Sequence, residues 1–152
     1  MGTGKRFSAW RDAVSGTAAI EFAICVPIIF TLLVGLVEVG FSMYQSMQVF
    51  NSVEAGAVYA AKNGWDANGI AAAVTNATGT PGISASPAPV KFCGCPAATG
   101  VATAVCTATC ANGNTPGEYV GISAALLRQS IIPYAGLGLP TSLTAQSIIR
   151  LK

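Results

Sequence analysis

Histidine is absent from this chain, and charged residues of either sign make up only 9% of its 152 residues. The first absence removes the commonest general base, the commonest zinc ligand and every Ser–His or Cys–His nucleophile pair. The lysines, Lys5, Lys62, Lys91 and Lys152, stand in no recognisable Ser/Lys motif. Neither catalysis nor a bound cofactor is expected from such an inventory. A net charge of +2 is too small for a nucleic-acid footprint. Residues 64–118 carry almost no charge and are rich in Ala, Gly, Thr and Pro. The length allows one modest domain plus one anchor.

What the chain does have is a long apolar run. Residues 17–37 hold a single charge, Glu21. As a helix at about 1.5 Å per residue they reach roughly 32 Å, close to the ~30 Å hydrocarbon thickness of a bilayer. A domain this small has no core able to swallow such a helix, so a membrane span is expected. The leader, residues 1–16, carries Lys5, Arg6 and Arg11, and beyond the span the next positive charge is Lys62. That asymmetry puts the N-terminus in the cytoplasm and the bulk of the chain outside. The leader reads as a disordered basic segment. It fits neither the myristoylation pattern, which needs Ser or Thr where Arg6 stands, nor a phosphate loop.

Within the span, Pro27 cannot donate to the Ala23 carbonyl and is expected to kink the helix or loosen a turn. Thr31 and Gly35 form a small-xxx-small pair that permits close helix approach. Glu38 stands at the outer edge, where a place at the membrane–water boundary is the plainer reading and a polar contact between assembled helices the sharper one. No proline interrupts the chain from Glu38 to Lys62. Met43, Met47, Phe50, Ala57 and Ala61 recur there at helical spacing, which predicts an amphipathic outer half ending at Asn63-Gly64. The continuous helix would run from Ala18 to about Lys62, roughly 68 Å.

Beyond it, Asp66 is placed to cap a short helix over residues 67–77. A Pro/Gly/Ser loop follows at 79–89. Strands are predicted at 90–95, 101–109, 118–127 and 142–151, the last two on clear alternation of apolar residues. The connection from Pro133 to Pro140 is rich in turn residues. The expected fold is α+β: a long membrane-spanning helix with an amphipathic outer half, then a short helix and a small antiparallel sheet packed on it. The domains are a leader (1–16), the helix (17–63) and an extracytoplasmic head (64–152).

Cys93, Cys95, Cys106 and Cys110 all fall in that head. Outside the cytoplasm they are expected to form two disulfides, in any of three connectivities. The rival, a zinc site, needs two to four residues between paired ligands, and Cys93-x-Cys95 is too tight. No metal is expected. Two disulfides would staple a domain whose small residues build a poor core. Cys25, inside the apolar run, reads as an unpaired apolar residue.

The mouth of the apolar run holds Gly16, Thr17 and Glu21. An ordinary secretory signal is cut after its apolar core, but Gly40-Phe-Ser is a poor site of that type. Gly16 lies before the core instead. A cut after it would keep the helix in the mature protein and create a new amino group on Thr17. A carboxylate within a span costs a few kcal/mol, roughly 2.5–3.5 for Asp at the centre and less near an end. The positive end of the helix dipole and an ammonium, such as a neighbouring subunit's Thr17, would offset part of that cost. The plainer reading is an interfacial glutamate.

The stretch G-TAAIEFAICVPIIFTLLVGLVEVG resembles the N-terminus of the TadE-like family, pseudopilins of the tight-adherence (Flp pilus) machinery. Gly16, Glu21, Phe22, Pro27 and the Gly35-x-x-Glu38-x-Gly40 pattern carry the likeness. The pair EYVGISAALL and SLTAQSIIRLK resembles the family's less specific ending. The resemblance implies a pilin-like architecture, cleavage of Gly16–Thr17 by a prepilin peptidase, and recognition through Glu21-Phe22. It also implies a minor pseudopilin of TadE or TadF type in a bacterial inner membrane, head periplasmic, with other pilins as partners. The competing reading is a signal-anchored bitopic membrane protein whose outer domain binds a ligand or partner.

Overall fold

A computed structural model describes the backbone of residues 8–131 and 138–151, and the side chains from residue 16 onward within them. The elements are α1 (Ser8–Asn63), α2 (Ala67–Asn76), β1 (Val90–Ala97), β2 (Gly100–Thr103), β3 (Gly117–Leu127) and β4 (Ser142–Arg150). The chain divides into two compact units, residues 1–40 and residues 41–152. The fold is α+β, with a long apolar N-terminal helix, a short helix and an antiparallel sheet. Lys5 and Arg6 of the leader, and residues 132–137 of the turn-rich connection, lie outside the described residues.

In the first unit α1 starts at Ser8, inside the stretch expected to be a disordered leader. The physical reason is local: no proline stands between Ser8 and the apolar run, and Gly16 alone weakens a helix there without ending it. Pro27 sits within α1 without ending it. Thr31 Oγ1 donates to the Ile28 carbonyl at 2.8 Å. The apolar side chains here turn outward, Phe22 and Leu36 each being 72% exposed. An apolar helix with no protein around it is what a bilayer would cover, and this one is long enough to cross it. Glu38, by contrast, is only 2% exposed.

The second unit is the head together with the outer half of α1. Its sheet runs β2-β1-β3-β4, every neighbouring pair antiparallel. The core joins Val49, Val53 and Ala60 of α1, Ile70 and Val74 of α2, Ile83 from the loop, and Val120, Ile122, Ala124 and Leu126 of β3. Alternate residues of β3 fill this core, as the sequence pattern predicts.

The buried face of α1 is not the expected one. Met43, Met47 and Phe50 are 57–64% exposed, while Ser42, Gln45, Val49, Ser52, Val53, Gly56 and Ala60 turn inward. Small side chains, Ser42, Ser52, Gly56 and Ala60, stand beside Val49 and Val53 on the inward face. A Cβ on Gly56 would stand 2.6 Å from Val74 Cγ2 and 3.1 Å from Ile122 Cγ2, so helix, helix and sheet meet there at a distance that only glycine allows. Gln45 adds a polar anchor, its Nε2 donating to the Gln129 carbonyl at 3.0 Å.

Both ends of the α1–α2 turn follow the sequence. Gly64, at φ +79°, donates its N–H to the Ala60 carbonyl and stops α1. Asp66 Oδ1 accepts from the Asn68 N–H and caps α2. Tyr59 Oη donates to the other Asp66 oxygen at 3.2 Å. That hydrogen bond, with some desolvation and the carboxylate's charge, raises the Tyr59 phenol above its ordinary value of 10.0. A pKa raised on folding adds stability that is complete below pH ~10 and disappears as pH climbs through the folded value. An ultraviolet titration should therefore show a step above the ordinary phenol range, and Tyr59→Phe should remove that late step. A late step that survives the substitution refutes the assignment.

Candidate functional site

Thr17 and Glu21 are four residues apart on α1, hence neighbours on one face, with Gly16 just before them. Gly16 has no other atom within 4 Å of a built Cβ, so its surroundings in this chain are open. Glu21 and Phe22 are both exposed. An accessible small residue, a carboxylate one turn in and an outward aromatic ring thus stand together at one end of the apolar run. Gly35 and Gly40 likewise face open space and leave flat ground on the helix.

The second constellation is in the head. Cys93 bonds Cys106 and Cys95 bonds Cys110, which selects one of the three connectivities. All four thiolates that a zinc ion would need are consumed in these bonds. Cys25 is free and exposed on α1. Both bridges tie β1 to the segment following β2, whose strand character stops at Thr103 and not at residue 109. That shortening has a direct cause: after Thr103 the chain folds back so that Cys106 and Cys110 reach β1, and turns close it at Ala108–Val105 and Gly113–Cys110.

Sequence reasoning missed a polar recess at the far side of the sheet. It has a volume of about 270 Å³ and is lined by Pro96, Asn112, Asn114, Thr115, Gly117, Tyr119 and Arg150. Arg150 lies 38 residues from Asn112 in the chain, and only the β3–β4 register, which sets Tyr119 opposite Arg150, brings them together. No local pattern carries that information.

Compared with known proteins, no curated protein and no solved structure matches the chain. A family model does match, described as TadE-like protein, over residues 16–58. It opens on Gly16, covers the whole apolar run and stops before α1 ends, so β3 and β4, whose sequences resemble the family's ending, lie beyond it. Over residues 16–58 the chain is thus similar to TadE-like proteins.

Proposed function

We propose that the chain is a minor pseudopilin of TadE or TadF type, with a structural role in assembling an adhesive Flp/Tad-type pilus. A prepilin peptidase cuts Gly16–Thr17 on the cytoplasmic side, and the helix stays in the bacterial inner membrane with the head in the periplasm. Glu21 and Phe22 are the recognition pair. After the cut, Glu21 pairs with the Thr17 ammonium of a neighbouring subunit. One observation carries this reading: the family match begins at Gly16, immediately before the apolar run of residues 17–37 whose single charge is Glu21. Two more support it. Basic residues crowd one side of the span, and the two disulfides belong in an oxidising compartment.

The test is intact-mass measurement and N-terminal sequencing of the chain produced with its peptidase. The expected mature chain begins at Thr17, Gly16→Ala leaves the leader uncut, and Glu21→Ala loses co-isolation with other pilins. A chain that keeps residues 1–16, with Glu21→Ala harmless, is a signal-anchored bitopic protein instead.

A further inference from the structure

The polar recess is lined by head residues alone among the described residues. Among the described residues, Arg150 is its only charged lining residue. Among the described residues, the ion pair in this part of the head is Lys91 with Glu118, at 3.0 Å, and Arg150 is not in it. No acidic residue occurs from Ala97 to Gly117, the stretch that supplies most of the lining. The guanidinium, on an exposed residue, lies close over Gly117. A Cβ on Gly117 would come 2.9 Å from Arg150 Nε and 3.4 Å from Cζ, so the missing side chain at Gly117 is what lets the guanidinium lie against the backbone. Tyr119, opposite Arg150 in the register, stacks on Phe92 with ring centroids 6.0 Å apart and is 6% exposed, giving the recess a firm floor.

The opposite wall is equally fixed. The Cys95–Cys110 bridge anchors the loop, the Cys110 N–H donates to the Asn114 carbonyl at 2.8 Å, and the Asn114 N–H donates to Asn112 Oδ1 at 3.2 Å. With Asn112 bonded through its oxygen, its amide nitrogen keeps both donors for a ligand. The recess thus offers one planar cation, side-chain amides from Asn112 and Asn114, and the Thr115 hydroxyl. A guanidinium recognises a carboxylate through two parallel hydrogen bonds, while amides and a hydroxyl suit the hydroxyls of a polyol. A phosphate usually draws on a helix N-terminus or several cations, and this recess has one arginine. Its volume falls just short of the ~300–1,000 Å³ typical of drug-sized ligands, which favours a single sugar ring.

We propose that this recess binds a hexuronate unit, the carboxylate on Arg150 and the ring hydroxyls on Asn112, Asn114 and Thr115. The full chain in detergent micelles is titrated with galacturonate, galactose and inorganic phosphate, followed by calorimetry and by the NMR signals of the asparagine side-chain amides. Galacturonate should bind saturably and shift the Asn112 and Asn114 amides, with galactose and phosphate at least about tenfold weaker. Removing a charged hydrogen-bond partner costs about ten- to a hundredfold in affinity, and that loss is expected for Arg150→Gln. Lys62→Gln, which removes an equal charge from the end of α1, should bind as the parent does. Absence of saturable galacturonate binding, equal binding of galactose or phosphate, or an unimpaired Arg150→Gln would each overturn the proposal.

Discussion

Replacing Gly56 with leucine is expected to destabilise the head by about 3 kcal/mol or more, the upper end of what overpacking a close-packed core costs. A Cβ at Gly56 would stand 2.6 Å from Val74 Cγ2, 3.1 Å from Ile122 Cγ2 and 3.6 Å from Ile70 Cγ2. All three neighbours are β-branched and stiff at χ1, so none can swing aside cheaply. They also belong to different elements, α2 and β3, so relief in one direction tightens the other. The helix itself pulls the other way: replacing a mid-helix glycine by alanine gains about 1 kcal/mol in propensity. Gly56→Ala should therefore be a milder loss than Gly56→Leu, and the difference between them measures the steric component. Glu54→Leu, on the exposed side of the same turn, should stay within about 0.5 kcal/mol of the parent. Thermal melting followed by near-ultraviolet circular dichroism reads all three. If Gly56→Leu melts together with Glu54→Leu, the close approach of α1, α2 and β3 at this glycine is wrong.

Gly56 also explains what was legible in the sequence and what was not. Signals confined to a few neighbouring residues gave the right elements: the uncharged run made a helix, Asn63-Gly64 stopped it, Asp66 capped the next, and alternation in residues 118–127 and 142–151 made β3 and β4. Hydropathy periodicity then chose the wrong face of α1. Met43, Met47 and Phe50 are the most apolar repeating positions, yet Ser42, Ser52, Gly56 and Ala60 are the small ones, and a sheet can come close only along the small ones. Side-chain volume is a property of the facing surface too, and the facing surface is not written locally. At the mouth of the apolar run the situation reverses. Gly16, Thr17 and Glu21 lie within two turns of one helix, so their arrangement could be read directly from spacing. The recess around Arg150 needed the strand register and a disulfide before its parts came together.

Loss of the two disulfides is expected to be the other large effect. The bridged residues are 13 and 15 positions apart. Closing a loop of about 15 residues is worth about 3 kcal/mol in the chain-entropy account, and removing a native bridge from a small secreted domain typically costs about 2–5 kcal/mol. Little else holds residues 104–116. Val105 is 71% exposed, Cys110 is the only one of these residues that is buried, and the backbone contacts are short turns plus the Ala104 N–H to the Cys93 carbonyl. The segment therefore owes its position to sulfur and not to apolar burial. Cys93→Ser/Cys106→Ser and Cys95→Ser/Cys110→Ser should each lower the melting temperature by on the order of 10–20 °C, given about 4–8 °C per kcal/mol for a domain of this size. Because the two closed rings overlap from Cys95 to Cys106, removing both should cost less than the sum of the separate losses. Hydrogen exchange should show the loss concentrated in residues 104–116 and in β1–β2, while the α1 amides packed on β3 keep most of their protection, since that core contains no bridge. Peptide mapping of the oxidised chain gives an independent check: a Cys93–Cys110 or Cys93–Cys95 peptide, or melting temperatures unmoved by either double substitution, would show that the loop is held by something other than these two bonds.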